Sequence, residues 1–145
     1  MTYIDATTFC QGSEMKGYGG FTDWRLPNID ELKTLIINPN GTPRTKNCAV
    51  SEATGHLSYR SDFTCSTCTE ACIQSSTRPS CSGCNFSSEG IYSKLGDVCQ
   101  LWSSSLPSDY SYSHHYAWLV SFDSGSVSVN NQDDTDSNLY VRCVR

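Results

Sequence analysis

The sequence predicts an α+β domain. Apolar residues near the N terminus recur at helical spacing behind capping residues, those in the last third alternate with polar ones as strands require, and no repeat of about 20–50 residues runs along the chain. Helices first and clustered antiparallel strands last is the α+β order rather than the alternating one. With 145 residues the chain suffices for one hydrophobic core, so residues 1–145 are expected to form a single domain.

Asp5 is the expected cap of a first helix that carries Ala6, Phe9 and Cys10 on one face, and the glycines between 17 and 20 end it. A second helix is better marked. Pro27 stops the preceding segment, Asn28 is a good N-cap, Glu31 follows three residues later as in a capping box, and Ile29, Leu32, Leu35 and Ile36 form the buried stripe. Turn residues from 38 to 43 close it. From about 44 to 99 the pattern dissolves into Ser, Thr, Cys and Gly, an irregular excursion in which cysteines substitute for a core. Order returns with a strand at Leu101–Ser104. A hairpin follows, in which Trp118, Val120 and Phe122 alternate, a turn intervenes, and Val127 and Val129 alternate again. Leu139 to Val144 make a last strand, and Trp24, Trp102, Trp118 and Phe122 are expected to pack inside.

A net charge of −5 without a Lys or Arg cluster argues against a nucleic-acid partner, because phosphate binding needs concentrated positive charge. No run approaches the roughly 20 apolar residues of a spanning helix, so no direct membrane insertion is expected. The first residues lack the basic and apolar regions of a signal peptide, so a native chain that is exported must carry its export and anchoring segments elsewhere.

Nine cysteines exceed what packing alone would use. A disulfide framework and a metal cluster are both compatible with them, and the odd number leaves at least one thiol outside any intramolecular set of pairs. Cys65, Cys68, Cys81 and Cys84 form two Cys-x-x-Cys knuckles twelve residues apart, spacing that suits a structural zinc ion. Cys72 lies between these knuckles, and Cys48 and Cys99 flank them, which makes a disulfide knot the equal alternative. No cofactor is otherwise implied.

Between Leu101 and Val141 the chain contains no Lys, Arg or Glu, yet it is crowded with Tyr, Ser, Asn, Asp and His. Tyr offers stiff contact area with a polar tip, and the short polar residues hydrogen-bond adaptably, as in antibody loops. Two stretches are candidate parts of one recognition face. The first is Asp109, Tyr110, Ser111, Tyr112, Ser113, His114, His115 and Tyr116; the second holds Asn130, Asn131, Asp133, Asp134, Asp136 and Asn138. An exposed aromatic patch of this density is seldom kept without use.

Gly19-Gly20-Phe21-Thr22-Asp23-Trp24-Arg25-Leu26-Pro27-Asn28-Ile29-Asp30-Glu31-Leu32 resembles the Lcl C-terminal domain family, formerly the domain of unknown function 1566. So do Leu101-Trp102-Ser103-Ser104-Ser105, Ala117-Trp118-Leu119-Val120-Ser121-Phe122 and Tyr140-Val141-Arg142-Cys143-Val144-Arg145. The likeness spans both ends and skips most of residues 44–98. It implies a C-type lectin-like fold of the formylglycine-generating-enzyme branch, two helices beside a twisted antiparallel sheet, and a bridge between Cys10 and Cys143. Such a bridge closes a loop of about 130 residues, worth roughly 4–5 kcal/mol in the chain-entropy model; two separately buried thiols are the alternative.

The lectin-like group includes variable proteins of diversity-generating retroelements, whose adenine-directed mutagenesis of Asn-type codons reaches Asn, Tyr, Ser, Asp, His and Thr but not Gln, Lys or Glu. Residues 109–116 satisfy that rule throughout, whereas Gln132 departs from it in the second stretch. The resemblance therefore implies a displayed, variable surface that binds a protein or glycan ligand on another cell or virus, in an extracellular or cell-surface setting. An undiversified adhesive or structural module of the same family is the alternative.

Enzymatic function is not expected. The chain has no Gly-x-Ser-x-Gly elbow, phosphate-cradling glycine loop or His-Glu-x-x-His motif. The cysteine pair by which lectin-like relatives oxidise sulfatase cysteines has no clear counterpart. Asp133, Asp134 and Asp136 lack the Gly and terminal Glu of an EF-hand, so they read as a solvated acidic loop.

Overall fold

Two short helices cover opposite faces of a four-stranded sheet. In the computed structural model, residues 1–37, 50–55, 57, 93–97, 100–109, 114–122, 125–135 and 139–145 are described. The elements are α1 (Tyr3–Gln11), a 3₁₀ turn (Tyr18–Gly20), α2 (Ile29–Lys33), β1 (Gln100–Trp102), β2 (Tyr116–Ser121), β3 (Ser126–Asn131) and β4 (Leu139–Tyr140). The strand order is β3-β2-β1-β4. β2 pairs antiparallel with β3 across the expected hairpin, and antiparallel with β1. β4 differs from the expected antiparallel arrangement: it runs parallel to β1, with Gln100 opposite Leu139, so the sheet is mixed. Alternation sets which face a residue takes and carries no information on strand direction.

The period of two explains the layers. Trp118, Val120, Val127 and Leu101 project to one face, where Ile29, Leu32, Ile36 and Val50 meet them in one apolar cluster. Ala117, Leu119, Trp102 and Leu139 project to the other, against Ala6 and Cys10 of α1 and Leu26. β2 is consequently buried on both sides and reads as an almost unbroken apolar run. Trp102, Trp118 and Phe122 are fully buried as expected. Trp24 is only half-buried. It lies edge-on to Tyr18 and Phe21 at 6.0 and 6.5 Å in a surface cluster where the Arg145 guanidinium sits 3.5 Å from the Phe21 ring centre.

Both helices start with reciprocal caps. At α1 the cap is Thr2 rather than Asp5: Asp5 N–H donates to Thr2 Oγ1 at 3.1 Å, and Thr2 N–H donates to the Asp5 carboxylate at 3.3 Å. Asp5 is the third residue of the helix and closes the box, which Thr2 opens. The helix ends at Gly12, ahead of the glycine-rich turn in which Gly17 and Gly20 take left-handed φ values of 84°. α2 has the predicted box, with Glu31 N–H donating to Asn28 Oδ1 at 2.9 Å and Asn28 N–H to Glu31 Oε2 at 2.8 Å.

Glu31 also receives a bidentate pair from Arg25 at 2.7 and 2.8 Å. Hydrogen bonding from Arg25 and from the Asn28 amide holds its carboxyl below the ordinary range. Because the folded value is depressed, this contribution is complete above the unfolded value and is lost as pH falls through the folded one. Both side chains are more than a third exposed, so solvent screens the pair and the effect is small. Glu31→Gln is expected to flatten the acid limb of a stability-against-pH curve below about pH 5 while leaving the neutral value within about 1 kcal/mol. Urea denaturation at a series of pH values measures this.

The C-terminal segment is strapped to the N-terminal half. Arg25 and Val144 exchange backbone hydrogen bonds, both 2.8 Å, and Arg142 pairs with Asp97 at 2.5 Å. Cys10 and Cys143 form the disulfide that the resemblance implied, with Cα atoms 5.4 Å apart and 133 residues of separation. Most of the excursion, including Cys48, Cys65, Cys68, Cys72, Cys81, Cys84 and Cys99, lies outside the described residues.

Candidate functional site

The described ends of the two predicted stretches, residues 114–116 and 130–134, meet at one end of the β2–β3 hairpin. Tyr116 opens β2 directly opposite Asn131, the last residue of β3, and Ala117 faces Asn130. His114 and His115 form the exposed turn that leads into β2, while Asn131, Gln132 and Asp133 form the turn that leaves β3. Gln132 N–H donates to the His115 carbonyl at 2.8 Å, which carries the pairing one step beyond the strands. Asp109 is half-buried, and Tyr110, Ser111, Tyr112, Ser113, Asp136 and Asn138 lie outside the described residues.

Strand alternation divides what the sequence groups together. Asn131 and Tyr116 project to the α2 side of the sheet, whereas Asn130 projects with Ala117 to the α1 side. The polar residues of the second stretch also brace the turn. Asn130 Nδ2 donates to Asp134 Oδ2 at 2.8 Å, Asn131 Oδ1 accepts from Asp133 N–H at 2.9 Å, and Asp134 N–H donates to the Asn131 carbonyl at 3.1 Å. Asn131 and Asp133 remain exposed with the two histidines, so among the described residues His114, His115, Asn131 and Asp133 form the accessible part of the face, with Tyr116 half-buried beside them.

Three structural contributors, one of them a pair of serines, were not singled out as such by the sequence. Tyr3, the first residue of α1, donates its backbone N–H to the Gln132 carbonyl at 3.0 Å and its hydroxyl to Ser104 O at 3.4 Å, and its ring lies edge-on to Trp102. Burial pushes its phenol above the ordinary value, so it stays a neutral donor. Ser103 and Ser105 are buried just past the end of β1. Ser103 Oγ donates to the Trp118 carbonyl at 2.8 Å, and Ser105 Oγ accepts from Ile29 N–H at 3.0 Å while donating to Glu52. They tie β2 to the start of α2 and so hold the hairpin still. Gln132 is the third; the only signal for it was its departure from the residue types around it.

An acidic depression of about 400 Å³ lies away from these loops, lined by Asn28, Asp30, Glu31, Thr34, Glu52 and Ala53. Its carboxylates are engaged internally: Asp30 with Lys33, Ser51 and two amides, Glu31 with Arg25, Glu52 with Ser105. Among the described residues no group of three or more His, Cys, Asp or Glu is arranged to hold a metal ion, and the proposed zinc ligands lie outside them. No described helix is long and apolar enough to cross a membrane.

No curated protein and no solved structure matches the chain. The profile of the Lcl C-terminal domain matches residues 1–145, the whole length over which the capped Arg25-Leu26-Pro27 entry, the Trp102–Ser105 edge and the Cys10–Cys143 strap were found. The chain belongs to the Lcl C-terminal domain family.

Proposed function

We propose that this domain is a recognition module that binds a protein or glycan ligand through the end of the β2–β3 hairpin and performs no chemistry on it. The supporting observation is the register of Tyr116 against Asn131, which brings His114, His115 and Tyr116 beside Asn131 and Asp133 on a sheet packed on both faces. A rigid frame beneath adaptable polar and aromatic side chains is what recognition requires, since ordering costs are then met before binding. The frame is of the C-type lectin-like kind, and the domain is the target protein of a diversity-generating retroelement, displayed extracellularly or at a cell surface. Residues 109–116 obey the codon rule, in keeping with that assignment.

The internal bonds of Asn130 and Asp134 favour a second reading for part of the face, in which this turn is a fixed element of an undiversified adhesive module. Genomic context separates the two: a nearby reverse transcriptase gene and a near-copy of the 3′ coding segment belong to the first alone.

Binding itself is tested on arrays of glycans and purified cell-surface proteins. Alanine at His114, His115 and Tyr116 together is expected to reduce any specific signal by at least about 100-fold, as loss of clustered anchors does, with the melting temperature within about 3 °C of the parent. A specific signal that survives the triple variant assigns binding to another surface.

A further inference from the structure

Gln132 bonds to three segments of the fold at once. Its backbone N–H reaches the His115 carbonyl at 2.8 Å, its side-chain Nε2 donates to the Tyr116 carbonyl at 2.9 Å, and its own carbonyl accepts the Tyr3 N–H at 3.0 Å. One residue thus joins the entry to β2, the exit from β3 and the start of α1. The backbone bonds are open to most residue types, but the side-chain bond is selective. It needs a donor at the end of two methylenes: Asn is one methylene short, Ser and Thr shorter still, and Asp and Glu have no proton to give at neutral pH.

We infer that Gln132 is a fixed positioning residue of the face, setting the register of His115 and Tyr116 against Asn130–Asp134 and seating both on α1. Residues on either side can then differ in chemistry while the frame stays in place. The consequence for ligand rests on the recognition role proposed above, whereas the clamp is measurable without any ligand. It also accounts physically for a glutamine inside a stretch otherwise built of Asn, Asp, Thr and Ser.

Amide hydrogen exchange, followed by NMR and expressed as protection factors, tests the clamp on the intact chain and on Gln132→Ala and Gln132→Glu. At pH 7 both variants are expected to lose at least tenfold protection at the amides of Tyr3 and position 132, with Leu119 and Val120 in mid-strand changed less than twofold. Acidification distinguishes the variants. Below about pH 4 the carboxyl introduced by Gln132→Glu becomes protonated and can donate to the Tyr116 carbonyl, so protection at Tyr3 returns; Gln132→Ala and the parent show no such recovery. The sign follows because a hydrogen bond made by the neutral acid raises its folded pKa, giving stabilisation that is present at low pH and lost as pH rises.

Wild-type protection at Tyr3 in Gln132→Glu at pH 7 would overturn the inference. So would an acid response equal to that of Gln132→Ala, or loss of protection throughout the sheet including Leu119, which would make Gln132 a residue of global stability. Failure of the His114, His115 and Tyr116 triple variant to affect binding counts against the recognition role and leaves the exchange pattern untouched.

Discussion

Replacing Cys10 and Cys143 together by alanine will lower the stability of the fold by about 4 kcal/mol, since their bond closes a loop spanning 133 residues and chain-entropy costs of that size accompany such closures. For a chain of this length the loss corresponds to a fall of about 15 °C in melting temperature. The bond matters beyond its own loop. Cys10 is 1 % exposed and packs with Ala6 against Leu119 and Trp102, while Cys143 sits between Arg142, held by Asp97, and Val144, held by Arg25. Unlinking them loosens α1 at one end, and through Tyr3 its other end supports the Gln132 turn. Guanidinium unfolding of the double variant and the parent, both purified under oxidising conditions, is the measurement. A difference below about 1 kcal/mol would mean that the C-terminal strap holds without its covalent link.

Asp30→Ala is expected to cost about 3–5 kcal/mol, because it strands a buried cation. Lys33 is 6 % exposed, and its Nζ is held by Asp30 Oδ1 at 2.9 Å and by the Val50 carbonyl. The other Asp30 oxygen accepts from Ser51 Oγ and from the N–H groups of Glu52 and Ala53, docking residues 50–53 against α2. Partial burial pushes the Asp30 carboxyl upward, but the Ala53 amide, the Lys33 ammonium and the Ser51 hydroxyl together hold it below its ordinary value. Stability from this group is therefore complete above the unfolded pKa and declines as pH falls through the lower folded value.

Two further variants make the argument specific. Lys33→Met removes the charge that Asp30 compensates, so in the Asp30→Ala background it should restore about 2 kcal/mol or more, the mark of two coupled sites. Asp30→Asn keeps an acceptor and loses the charge, and should fall between Asp30→Ala and the parent. Equal, additive losses from Asp30→Ala and Lys33→Met would show that the pair does not compensate in the folded state.

Features set by near neighbours were legible. The capping box at Asn28 and Glu31 lies within one helical turn, and the Trp118–Val120–Phe122 and Val127–Val129 alternation within one hairpin. Where two local signals compete, as at Thr2 and Asp5, the start of α1 moved by three residues because both types can cap and their reciprocal bonds choose between them. The pairing of Tyr116 with Asn131 follows from the same hairpin, which joins the start of one strand to the end of the next.

What stayed hidden depends on partners far away in the chain. Lys33 sits on a helix where a charged residue is normally solvated, and the Val50 carbonyl, brought in by the fold, joins Asp30 in making its burial tolerable. Ser103 and Ser105 look like surface serines until Trp118, Ile29 and Glu52 supply their partners. Residue order alone determined the α+β class, the cap of α2, the hairpin and the chemistry of its loops, because those follow from torsional preference and periodicity over a few residues. Tertiary structure decided the parallel pairing of β4, the faces taken by α1 and α2, the Val50 carbonyl against Lys33 and the bonds of Gln132 to His115, Tyr116 and Tyr3. Each of these is a contact between segments with no local preference for one another, selected only when the whole core closes.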